Sequence, residues 1–143
     1  MKSPKSEKSW KLIDHTADIR LEVCGTDLQA LFVNAAAALT EILGSGEAAP
    51  AEEDVEVDLE SPGLDELMVD WLREILFYNQ VRGWILAQSA IKELSDTALK
   101  ARLSFVLRAS EVQPEIEIKA VTYHGLSVEK SHRGYCAKIL FDI

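Results

Sequence analysis

Asp14-His15-Thr16-Ala17-Asp18 sets two carboxylates around one imidazole within five residues, a grouping that could hold a cation or a polar ligand. Directly behind it, apolar and charged residues alternate in Ile19-Arg20-Leu21-Glu22-Val23. Ile19, Leu21 and Val23 can face a core while Asp18, Arg20 and Glu22 face away, so the stretch reads as a half-buried strand. Asp18 then stands at or just before the strand's start, held by a sheet yet open to water or a ligand. The plainer alternative is a turn in which Asp, His and Thr side chains bond to nearby backbone.

The end of the chain holds a second candidate. Asp142 lies in the opposite phase to Phe141 and Ile143, so it need not be buried with them. If Ile143 is the natural terminus, its carboxylate adjoins Asp142, and such a dense pair of anions is costly unless a cation or proton neutralises it. Should Asp18 lie nearby, three oxygen donors converge, the donor type that calcium and magnesium take. Zinc would need nitrogen and sulfur ligands at a spacing absent here. Periodicity alone does not make Asp18 and Asp142 neighbours, and the plainer reading of Asp142 is a solvated terminal residue. A third stretch, Lys119-Ala120-Val121-Thr122-Tyr123-His124-Gly125-Leu126, places Lys119 and Tyr123 on one face of a strand and Ala120, Thr122 and His124 on the other. For His124 the favoured reading is a partly exposed sheet residue.

The elements that must position these groups follow from local pattern. Trp10-Lys11-Leu12-Ile13 is a short apolar run that can pair with residues 19–24. Thr26 with Gln29 forms a capping box, and Leu28, Leu31, Phe32, Ala35, Leu39 and Ile42 recur at helical spacing until Gly44. Residues 45–51 read as a loop. Val55, Val57 and Leu59 alternate with acidic residues as a strand. Ser61-Pro62 has the form of a helix cap, followed by a wide apolar face from Leu64 to Leu76 and a stop at Gly83. Trp71 and Phe77 on this helix read as core. After Gly83 the chain turns to strands, over residues 84–94, 97–108, 115–128 and 135–143, with a loop at 110–114 and a turn at 131–134. Mixed elements followed by strands alone argue an α+β fold, two helices packed on one side of a mainly antiparallel sheet. Residues 1–9 read as a flexible tail and 10–143 as a single domain.

Composition narrows the function. A chain of 143 residues with 48% hydrophobic and 27% charged residues is that of a folded domain. Its 24 acidic against 15 basic residues give a net charge of -9. Without a basic stripe, strong direct binding to nucleic acid is not expected; a partner with a basic face, or a cation, is. Cys24 and Cys136 belong to no zinc or Cys-x-x-Cys spacing, so the expected state is two reduced thiols in the cytosol, with a disulfide as the alternative. No stretch approaches the ~20 apolar residues of a membrane span, and the N-terminus lacks the apolar segment of a signal peptide. No nucleophile elbow, phosphate-binding glycine loop or His-Glu-x-x-His is present. A non-catalytic role in the cytoplasm is therefore expected.

Taken together, residues 14–18, the Lys119-Ala120-Val121-Thr122-Tyr123-His124 stretch and the terminal Phe141-Asp142-Ile143 resemble the archease family. The helix opening at Gly25-Thr26-Asp27-Leu28-Gln29-Ala30-Leu31-Phe32 and the segment from Leu64 to Leu76 fit as well. The resemblance implies an α+β fold and an accessory protein for an RtcB-type RNA ligase in tRNA splicing and RNA repair. Such a protein promotes formation of the ligase–guanylate intermediate and multiple turnover. It further implies a divalent metal site, calcium or else magnesium, at Asp18, Asp142 and the terminal Ile143. Asp14, His15 and Lys119 are expected to serve partner binding or activation. The alternative it allows is a chaperone or modulator of another nucleic-acid-modifying enzyme, such as a tRNA methyltransferase. A metal-dependent hydrolase built on the acid pair ranks last, because no base with an organised partner accompanies it. The chain departs from the family at residues 108–115, a stretch shorter than usual, with Ser110-Glu111 where a Gly-Glu pair is common.

Overall fold

The computed structural model describes residues 10–13, 18–44, 52–107 and 117–143. In these, β1 (Trp10–Ile13) and β2 (Asp18–Gly25) lead into α1 (Leu28–Ile42). Next come β3 (Glu53–Glu60) and α2 (Leu64–Arg82), then β4 (Trp84–Leu94), β5 (Ala98–Leu107), β6 (Ala120–Ser131) and β7 (Gly134–Asp142). Every strand pairing is antiparallel. The α+β class expected from the sequence is the one observed. The strands do not form one sheet, however, but a four-stranded sheet in the order β1-β2-β7-β6 and a three-stranded sheet in the order β3-β5-β4. Nor do the helices cover a single sheet face. α1 packs against β2 and β7 of the larger sheet and β4 of the smaller, and α2 against β6, β4 and β3.

This placement explains the composition of α1. Leu31, Phe32, Ala35, Ala36, Ala38, Leu39 and Ile42 are all buried, more of its circumference than a surface helix would bury. Small alanines let neighbouring elements approach. From the larger sheet, Leu21, Val23, Val121, Ala137, Ile139 and Phe141 enter the same core; from the smaller, Val57, Leu99, Ala101, Leu103 and Phe105. Trp71 of α2 is fully buried, and its indole N–H donates to the Phe32 carbonyl at 2.8 Å, tying the helices together.

Both helix starts differ from expectation. Asp27, not Thr26, caps α1: its carboxylate accepts from the Ala30 N–H at 2.7 Å. α2 begins after Gly63 with no side-chain cap, and the Ser61 hydroxyl instead donates to Asp70 Oδ2 at 2.6 Å. The stops are as expected, with Gly44 and Gly83 at positive φ, a conformation other residues resist. Phe77 is a correction: it is 48% exposed, because α2 turns its Trp71 side inward and this side outward.

β6 departs furthest from its sequence pattern. It begins at Ala120 rather than at residue 115, and residues 108–116, which include the shortened stretch, lie outside the described residues. Between Thr122 and Ser127 its register against β7 shifts, so Tyr123 to Leu126 form a bulge. Lys119 and Tyr123 are exposed, yet Val121 between them in the same phase is buried. His124 is exposed, as favoured. α2 covers this edge strand through side chains. Asp65 Oδ1 accepts from the Val128 N–H at 3.0 Å, and Arg73 Nη2 donates to the Val121 carbonyl at 3.1 Å.

Candidate metal centre

β2 and β7 pair without a register shift from Asp18↔Asp142 to Gly25↔Tyr135. The buried Ile19, Leu21 and Val23 face the core with Phe141, Ile139 and Ala137. Alternation therefore puts Asp18, Arg20, Glu22 and Cys24 on the opposite face, together with Asp142, Leu140, Lys138 and Cys136. At one end of this face two acids stand directly across from each other, at the ~4.5–5.5 Å Cβ separation of such pairs. Asp18 is half-buried, with Oδ1 shielded from solvent, and Asp142 is exposed. On the other side of β7, Ala120 stands opposite Asp142, and a small side chain there leaves the acids uncrowded.

The backbone around Asp142 is well held. Its carbonyl accepts from the Lys119 N–H at 2.8 Å. Gln80 of α2 in turn donates Nε2 to the carbonyls of Ile118 at 2.9 Å and Lys119 at 3.3 Å. Lys119 thus adjoins the acid pair just before β6, with its side chain exposed. Asp14 and His15, expected to assist, lie outside the described residues.

Two carboxylates facing each other disfavour one another, and a cation between them relieves this. The donor chemistry fits a hard divalent ion: the Asp18 and Asp142 side chains offer oxygens alone. Among the described residues, no group of three or more His, Cys, Asp or Glu side chains could hold a metal. Among these residues the side chains at the site are those of Asp18 and Asp142.

The opposite end of the ladder corrects an expectation. Cys24 and Cys136 are not two reduced thiols but a disulfide, and they are direct partners in the register. The sequence carried an overlooked signal. Cys24 lies six residues after Asp18, and Cys136 six before Asp142. Any antiparallel pairing that aligns the acids aligns the cysteines.

A polar network on α2 was also missed. The Tyr123 hydroxyl donates to Asp70 Oδ1 at 3.1 Å, and the Arg73 guanidinium lies 4.6 Å from the Tyr123 ring centre. Partial desolvation against α2, and then the bond to Asp70, pushes the Tyr123 phenol up. Beside it, burial and then the Asp70 charge hold Glu74 above the usual carboxylate range. A raised folded-state value means that the fold favours protonated Glu74. Stability is therefore lost as pH rises from the unfolded value of 4.5 through the raised one. Glu74→Gln is expected to remove this loss, giving higher stability than the parent at pH 7 and a flatter profile in urea titrations between pH 4 and 7. A variant curve parallel to the parent's would contradict the assignment.

The sequence model of the archease protein family matches residues 10–143. The chain belongs to the archease family. Protein archease of Methanosarcina mazei is 34% identical over 145 residues, covering 98% of this chain and 99% of that one. Protein archease of Methanopyrus kandleri is 34% identical, covering 94% of this chain and 99% of the relative. Among solved structures, protein 1598 of Methanobacterium thermoautotrophicum superposes with a TM-score of 0.76 at 26% identity, covering 95% and 99% of the two chains. An archease from Thermotoga maritima, described as a possible chaperone, gives 0.64 at 25% identity over 100% and 98%. The archease fold is thus shared across nearly the whole chain. Among the described residues, no helix is long and apolar enough to cross a membrane.

Proposed function

We propose that this archease is a non-catalytic activator of an RtcB-type RNA ligase, acting in tRNA splicing and RNA repair in the cytoplasm. Its activating end is the Asp18–Asp142 end of the β2–β7 ladder. Membership of the family motivates the reading, and the pairing of the two acids across adjacent strands is the observation that carries it. Asp18, Asp142 and a carboxylate on Ile143 would hold a divalent cation, calcium or magnesium. A bound cation there would supply a Lewis-acid charge at the ligase's nucleotide site. The chain's own residues bind and orient: β2 and β7 set the two carboxylates opposite each other, and Gln80 and Lys119 steady the strand end. With no nucleophile and base brought together among these residues, turnover belongs to the ligase.

The deciding experiment is ligase guanylylation and multiple-turnover ligation with and without this protein. Substoichiometric protein should raise turnover; an unchanged ligase sinks the proposal, as does ligation or phosphatase activity of the pure protein alone. Residues appended after Ile143 convert its carboxylate to an amide and should reduce activation at least tenfold, about the size of losing one metal ligand or supporting group. Full activity of the extended protein would remove Ile143 from the site. The description of the Thermotoga relative as a possible chaperone favours a second reading. In that reading the partner is another nucleic-acid-modifying enzyme such as a tRNA methyltransferase. A methyltransferase whose solubility or turnover responds, beside a ligase that does not, would select it.

A further inference from the structure

The Cys24–Cys136 bond lies on the face of the larger sheet opposite the core, and both residues are half-buried. Two side chains from the β6–β7 hairpin attend it. Arg133 Nη2 lies 3.8 Å from Cys24 Sγ, and Ser131 Oγ lies 3.7 Å from Cys136 Sγ. The sulfurs are therefore not equivalent: a guanidinium lies against Cys24 Sγ and a hydroxyl against Cys136 Sγ. We propose that this bond is a reversible thiol-exchange site, opened by dithiols in the folded protein, with Cys136 the sulfur attacked and Cys24 the sulfur that leaves.

The chemistry follows from the asymmetry. A disulfide is cleaved by a thiolate, and the sulfur that departs more readily is the one whose thiolate is better stabilised. The Arg133 guanidinium stabilises a thiolate on Cys24, so the incoming sulfur bonds to Cys136 as the Cys24–Cys136 bond breaks. The second thiolate of the dithiol then attacks its own sulfur in the mixed disulfide and releases Cys136. The dithiol loses two electrons and ends as a cyclic disulfide. The protein gains those two electrons and, with two protons, becomes two thiols.

The fold supports reversibility. The core faces of β2 and β7 stay buried whether or not the bond is closed, and the shared register keeps the two cysteines opposite each other. Opening the bond thus leaves the thiols placed to close it again. Gly25 and Gly134 flank it so closely that a Cβ on Gly134 would collide with the Gly25 carbonyl, so this end of the ladder has little room to drift. The inference is independent of the ligase reading, because it concerns neither Asp18 nor Asp142.

The test uses the full chain. Under native conditions, dithiothreitol should release two thiols while the circular dichroism spectrum is kept, and removing the reductant in air should consume them. With reduced glutathione and a rapid alkylating quench, peptide mass mapping should find glutathione on Cys136 and the alkyl group on Cys24. Arg133→Ala should slow thiol release roughly threefold, because the departing Cys24 thiolate loses the charge that stabilises it, and Arg133→Lys should retain most of the rate. Thiols appearing only in denaturant would overturn the proposal. So would glutathione found mainly on Cys24, a rate indifferent to Arg133→Ala, or a native protein that carries two thiols and does not oxidise.

Discussion

Asp18→Ala and Asp142→Ala are each expected to abolish ligase activation while leaving the fold intact. Neither side chain enters the core: Asp18 is half-buried at the first position of β2, and Asp142 is exposed at the last of β7. Removing one of two facing carboxylates relieves repulsion, so the metal-free variants should be as stable as the parent or slightly more so. Cation linkage separates this from trivial damage. An ion that binds only the folded protein stabilises it, by about 2.7 kcal/mol at a hundredfold excess over its Kd. The parent's melting temperature should therefore climb with calcium or magnesium, and the melting temperatures of both variants should not. If both variants respond to the ion and activate a ligase normally, the acid pair is not the centre.

Trp71→Ala is expected to cost about 4 kcal/mol, the size found for truncating a large buried aromatic residue. Trp71 is fully buried at the join of the two helices, where its ring neighbours Phe32 and its N–H reaches the Phe32 carbonyl. Truncation leaves a cavity between elements that both sheets pack against, so it should loosen every layer. Against a total of about 5–15 kcal/mol for a domain, this is a large share. Trp71→Phe keeps most of the packing and loses the hydrogen bond, for about 1 kcal/mol beyond the lost ring area. Urea titration of both variants provides the measurement. A loss below 1 kcal/mol for Trp71→Ala would show that the helix junction is not the centre of the core.

Local periodicity made most elements legible. The alternation at Ile19, Leu21 and Val23, and again at Leu99, Ala101, Leu103 and Phe105, marks faces that are buried in the fold, while Leu107, in phase with the second set, is 48% exposed at the end of β5. β1 and β4 have the ends the residues suggested, and the glycine stops of both helices hold. The errors arose where distant groups compete for a local one. Ser61 looks like a cap by position, but Asp70, one helical face away, takes its hydroxyl. Phe77 looks like core by type, but helix orientation exposes it. β6 looks like a regular strand, but its bulge reverses the phase between Val121 and Tyr123.

By itself, the sequence determined which residues share a face. A period of two, or of 3.6, follows from backbone geometry and needs no knowledge of a neighbour. It also held, unread, the matched spacing that lets one register align both Asp18 with Asp142 and Cys24 with Cys136. The archease resemblance supplied the pairing of the acids as an expectation, while the cysteines were expected to be reduced. Only the tertiary structure decided that β7 is the strand beside β2, that the strands split into two sheets, and that both sheets pack on the helix pair. The first of these joins partners more than a hundred residues apart. It is made by the shared core of Leu21, Val23, Ala137, Ile139 and Phe141, whose burial brings β2 and β7 into one ladder.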